Sequence, residues 1–139
     1  MTPQQIDTLS NEELDKLAAL HIKKWTIKSY NTSYKDDYTS YADFYVDSRG
    51  DVVDRCTKYK PTINYNESIL LLDDLRKLGY YFCITVDWMG WIIRVWKGVH
   101  NEVADTYKSD YCSGIVKTCL KMILKEQEND PQAHQQNET

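Results

Sequence analysis

Four cysteines (Cys56, Cys83, Cys112, Cys119) and three histidines (His21, His100, His134) are the side chains from which this 139-residue chain could build a metal centre or a nucleophile. Their spacing supports neither. No two cysteines stand in C-x-x-C, and no histidine is near a cysteine in sequence. A structural zinc site draws its ligands from short paired spacings, so no metal is expected. The phosphate-cradling and nucleophile-elbow patterns are missing, and five glycines leave little material for such loops. Asp73 and Asp74 are adjacent, which on a helix turns them about 100° apart and prevents acid–base pairing. Asp36 and Asp37 read as a solvated acidic loop, because a hard-cation site gathers more oxygens in a fixed frame. His21 reads as structural, with no base or nucleophile patterned beside it. Neither an enzyme nor a cofactor site is expected.

The aromatic residues suggest binding instead. The stretch YNTSYKDDYTSYADFYVD (30–47) holds five of the eleven tyrosines, together with Phe44 and four aspartates. Tyrosine gives large contact area at low entropic cost, and aspartates meet Lys/Arg surfaces. Tyr34, Asp36, Asp37, Tyr38, Tyr41, Asp43 and Tyr45 are therefore the candidate partner-binding residues. Packing of the same rings against the core is the other fate open to them. A second set, Arg55, Trp88, Arg94 and Trp96, combines cations with aromatic faces, as a pocket for a nucleotide signal would require. For Trp96 the structural reading is cover by the first helix, and for Trp91 it is the core.

The formal net charge of −4 and the pI near 5.3 argue against a general nucleic-acid binder. They suit a protein partner that is itself basic, such as a nuclease effector. No apolar run is long enough to span a bilayer, and the polar first residues carry no leader pattern, so the expected location is the cytoplasm.

The secondary structure that carries these residues is legible in outline. Ser10 and Glu13 form a capping box that opens a helix over 10–25, with Leu14, Leu17, Ala18, His21, Ile22 and Trp25 on or beside one face. Residues 26–60 are irregular, with a loop from Tyr30 to about Ser40. Two strands follow, joined by a turn at Arg49-Gly50, and Tyr41, Asp43, Tyr45 and Asp47 share a face. A second helix follows Asn66 as its cap and ends at Gly79. Residues 81–96 predict a hairpin in which Asp87 pairs with Gly90. Phe82, Ile84, Val86, Trp91, Ile93 and Val95 then form one face. The opposite face is mixed rather than hydrophilic, so partial cover on both sides is expected. A short strand at 102–107 and a helix from about Ser109 to Lys125 complete the fold. Cys112 and Cys119 lie on the buried stripe of that helix, and Gly114 allows close approach to the sheet. The expected organisation is one α+β domain over 1–125: a helix at 10–25, an insertion at 26–60, a helix–hairpin–helix core at 61–125, and a disordered tail at 126–139.

In this order the chain resembles the phage ABA sandwich domain, a small domain of bacteriophage and prophage proteins. ELDKLAALHIKKW is similar to its opening helix, and PTINYNESILLLDDLRKLGYYFCI to its proline, tyrosine and acidic helix leading into a strand. WIIRVWKG is similar to its tryptophan-bearing strand, and ADTYKSDYCSGIVKTCLKMIL to its closing helix. The resemblance covers residues 11–25 and 59–125, and 26–58 depart from it. It implies a small αβα layered sandwich with an antiparallel sheet on a central hairpin, and a phage-associated origin. It carries no catalytic residue. The functional expectation is a non-enzymatic phage or prophage accessory protein that binds a host protein in the host cytoplasm, an inhibitor of a defence system such as an anti-CRISPR being one such protein. A binder of a small nucleotide signal and a self-associating structural phage protein are the alternatives.

Overall fold

The computed structural model describes residues 1–32, 40–99, 101–107 and 110–128. Two short helices open the chain, α1 (Pro3–Asp7) and α2 (Asn11–Leu17), each closed at its N-terminus by a capping box, Thr2 with Gln5 and Ser10 with Glu13. The second box is the expected one, and Thr2 with Gln5 fits the same spacing. After Leu17 the helix widens into a π-helical turn (Ala18–Ile22), where the Lys23 N–H donates to the Ala18 carbonyl. Lys24 then takes a left-handed conformation with φ 61° and ends the helix.

Three antiparallel strands follow in the order β1 (Thr26–Asn31), β2 (Tyr41–Val46), β3 (Val52–Arg55). β1 opens the segment expected to be irregular and takes in the first two residues of the expected loop, Tyr30 and Asn31. Every residue of it is exposed, so it has no buried face to generate an alternating pattern. Helix α3 (Tyr65–Lys77) is capped by Asn64, whose side chain accepts from the Glu67 N–H, and not by Asn66. The second sheet is β4 (Tyr81–Asp87), β5 (Gly90–Trp96) and β6 (Glu102–Tyr107), again antiparallel and in sequence order. The hairpin register is the expected one, with Asp87 opposite Gly90 and Tyr81 opposite Trp96. Asp87 fixes the turn by accepting from the backbone N–H groups of Met89 and Gly90. Helix α4 (Tyr111–Glu128) continues three residues past the expected end at Lys125, and the rest of the expected tail (129–139) lies outside the described residues.

This is a small α+β fold, an antiparallel sheet built on the central hairpin with helices packed on it. One face of β4–β5–β6 presents Ile93 and Val95 to α4 and α3, where they join Leu71, Leu72, Leu75, Ile115, Val116 and Leu120. The N-terminal helices pack on α4 through Ile6, Leu14, Ala18 and Ile22. They do not cover the other face of this sheet, which leaves Cys83, Arg94 and Ala104 exposed, so the expected shelter of Trp96 by the first helix is absent. Trp96 instead stacks on Tyr81, the residue opposite it, at 5.9 Å and 22°. The first sheet is held by a separate cluster of Ala19, Tyr45, Tyr59, Trp25 and Cys56. All four cysteines are free thiols. No helix among the described residues is long and apolar enough to cross a membrane.

Candidate functional site

Two surfaces gather side chains suited to recognition. The first is a cleft of about 360 Å³ between α2 and the first sheet. Helical spacing of three and four residues puts Glu12, Asp15 and Lys16 along one wall. Strand alternation sends Asp43 and Tyr45 from β2 to the other wall, and the segment after β3 adds Cys56 and Tyr59. Asp15, only 6% exposed, accepts from the Thr62 backbone N–H at 2.9 Å and so ties α2 to a turn far along the chain. Burial holds its carboxyl above the usual range, partly opposed by that hydrogen bond. The rings of Trp25, Tyr45 and Tyr59 pack edge-to-face or tilted, with centroids 4.9 to 5.9 Å apart. Burial pushes the Tyr45 phenol up to about 12 and Tyr59 further in the same direction. The Tyr59 hydroxyl is buried without a hydrogen-bond partner among the described residues. Burial also raises the Cys56 thiol, which keeps it protonated and unsuited to nucleophilic work.

The second surface is the turn end of the 81–96 hairpin. Trp88 is 92% exposed, and Val86 and Met89 beside it are exposed as well. Trp91 stacks on Tyr111 at 4.7 Å and 29°, and Tyr111 meets Tyr65 edge-on at 5.5 Å. An aromatic and apolar band therefore runs from the turn across the start of α4 to the start of α3. The described charges flanking it include Asp87 in the turn and Asp110 next to Tyr111, both exposed.

The sequence-derived partner set is divided by the structure. Tyr34, Asp36, Asp37 and Tyr38 lie outside the described residues. Tyr41 is 63% exposed at the start of β2. Asp43 is exposed and accepts from the Ser29 hydroxyl across the β1–β2 pair. Tyr45 is 2% exposed, so it belongs to the core cluster and meets the outside only through the cleft. The alternative ligand set does not converge. Arg55 lies over the Phe44 ring on the first sheet at 5.5 Å, and Arg94 pairs with Glu102 at 2.6 Å on the open face of the second. Trp96 is at the far end of β5 from Trp88, roughly 20 Å away along the strand.

Asp15, Tyr59, Tyr65 and Tyr111 were not singled out from the sequence. Asp15 did leave a signal: it stands three, four and seven residues before Ala18, Ala19 and Ile22, so it is a carboxylate written into a buried stripe. No protein-family model matches the chain, and no curated protein or solved structure matches it.

Proposed function

We propose that the chain is a non-enzymatic binding protein that docks a partner protein through the aromatic end of the 81–96 hairpin. The observation that carries this reading is Trp88, almost wholly exposed at a turn held rigid by Asp87. A tryptophan in water has nothing to gain from its position unless something covers it. It continues into Val86, Met89, Trp91, Tyr111 and Tyr65, the residue types that anchor protein interfaces. Asp87 and Asp110 on the flanks, with the formal charge of −4, favour a partner with a basic rim. The resemblance to the phage ABA sandwich domain supports a host protein as that partner, and a nuclease of a bacterial defence system has the required basic surface.

The test is co-purification from host cells with the wild-type chain and with Trp88→Ala, followed by titration of the recovered, purified partner against both. Loss of binding in the variant supports the reading. Equal affinity of the two chains overturns it. A doubled mass in light scattering that returns to the monomer in Trp88→Ala assigns the surface to self-association instead.

A further inference from the structure

We propose that the cleft between α2 and the first sheet is a pocket for a guanidinium or ammonium head group, with the Asp15 carboxylate at its floor and the Tyr45 and Tyr59 rings as its walls. Elsewhere this fold pairs its buried and half-buried charges. Lys121, 5% exposed, has two carboxylates at 2.8 Å, those of Asp7 and Asp105. Lys23 and Asp74 also face one another as a pair. Asp15 is as buried as Lys121, yet no cation among the described residues lies within ion-pair distance of it. A buried carboxylate is costly unless it is paired, and a cationic guest would supply the missing partner.

The rest of the cleft suits the same guest. Tyrosine rings attract cations through their negative faces. Glu12 and Asp43 stand at the exposed rim with Lys16 and Lys60, so the lining holds three carboxylates to two amines. Both lysines are exposed, and long amine side chains keep their heads in water, so Lys60 favours the Asp15 carboxylate only weakly, as the smallest of the influences on it. The volume of about 360 Å³ is in the range of small-ligand pockets. The guest is either a free amine or guanidine, or the Arg or Lys side chain of a protein. The cleft shares no lining residue with the hairpin surface, and Trp88→Ala leaves it intact.

The test is an amide NMR titration of the full chain with two probes: agmatine, a free guanidine, and a blocked Gly-Arg-Gly peptide. At least one probe is expected to shift the Thr62 and Cys56 amides saturably. Tighter binding of agmatine assigns a free small molecule, and tighter binding of the peptide assigns a partner's side chain. Asp15→Asn keeps an oxygen for the Thr62 N–H and removes the charge, so it should weaken binding about tenfold or more. Should that variant fail to fold, Asp43→Lys at the exposed rim places a cation at the mouth and should weaken binding to a similar degree. No saturable shift with either probe, or unchanged affinity in the folded variant, overturns the proposal.

Discussion

Gly114 in α4 and Tyr107 at the end of β6 approach so closely that a Cβ on Gly114 would lie 2.6 Å from the tyrosine ring. The ring cannot step aside freely. Its hydroxyl donates to Asp105 Oδ2 at 3.2 Å and lies 3.3 Å from Thr118 Oγ1. A glycine in mid-helix costs about 1 kcal/mol relative to alanine, and here it is what lets α4 lie on the sheet. Gly114→Ala should therefore destabilise the protein by about 1–2 kcal/mol, the overpacking cost exceeding the helical gain. In a Tyr107→Ala background the same change should become stabilising by about 0.5–1 kcal/mol. Urea unfolding of the four chains in this cycle checks both signs.

Lys121 joins three elements: Asp7 at the end of α1, Asp105 on β6 and its own helix α4. Burial acts to lower its pKa, but the hydrogen bonds to Asp105 and Asp7 outweigh it and the net direction is up. The lysine's contribution is thus complete at neutral pH and, on the alkaline side, is lost as pH rises through the folded value. Lys121→Ala leaves Asp105 without its cation and should cost about 2–4 kcal/mol. Asp7 is half exposed, so Asp7→Asn should cost less than about 1 kcal/mol. Thermal melts at neutral pH that rank the two variants equally would remove the distinction.

The hairpin was legible down to its register because two β-rich runs flank a short turn that Asp87 and Gly90 bracket. Helices α2, α3 and α4 were legible from apolar spacing and caps, although two asparagines two residues apart left the cap of α3 misplaced. β1 was not legible, since TIKSYN buries nothing. For Tyr45 the shared face with Tyr41 and Asp43 was readable, but its burial was not. Trp25 and Tyr59, distant in sequence, come to cover one end of the strand and leave the other open. The cleft shares this cause. It is made by the approach of α2, β2 and the 56–60 segment, which no local pattern encodes.

Asp15 separates the roles of shape and charge. Asp15→Ala removes the acceptor of a buried backbone N–H and should cost about 1–3 kcal/mol. Asp15→Asn keeps an oxygen there and removes a buried charge, so near neutral pH it should be neutral or stabilising. Because the folded-state pKa is raised, the wild-type folded state holds the extra proton between the ordinary carboxylate value and the raised one. Wild-type stability relative to Asp15→Asn should accordingly rise as pH falls through that acidic window. Parallel denaturant titrations from neutral to acid pH measure that difference, and a wild type that loses stability relative to the variant toward acid contradicts it.

Lys24 holds φ 61° where the π-helical turn ends, a conformation that costs a side-chain-bearing residue about 1–2 kcal/mol. Glycine adopts it without a Cβ clash, although it gives up more chain entropy on folding. Lys24→Gly should raise stability by about 0.5–1 kcal/mol. It also removes a like charge that, after burial, holds the His21 imidazole below its ordinary value, so the His21 pKa should move up in the variant. NMR titration of the His21 ring protons, with unfolding curves on the same samples, tests both effects.

Trp88 provides the sharpest separation of stability from function. Its ring is almost fully in water, and the turn beneath it is fixed by the Asp87 carboxylate and not by the indole. Trp88→Ala should change folding stability by less than about 0.5 kcal/mol. If the ring is the centre of a docking surface, the same change should cost about 2 kcal/mol or more in binding. Tyr111→Ala should lose on both counts, because that ring is half-buried between Trp91 and Tyr65 and supports the band as well as belonging to it. Calorimetric melts paired with partner titrations distinguish the two residues. A Trp88 variant that melts lower but binds unchanged would make the indole a structural residue and move the docking surface elsewhere.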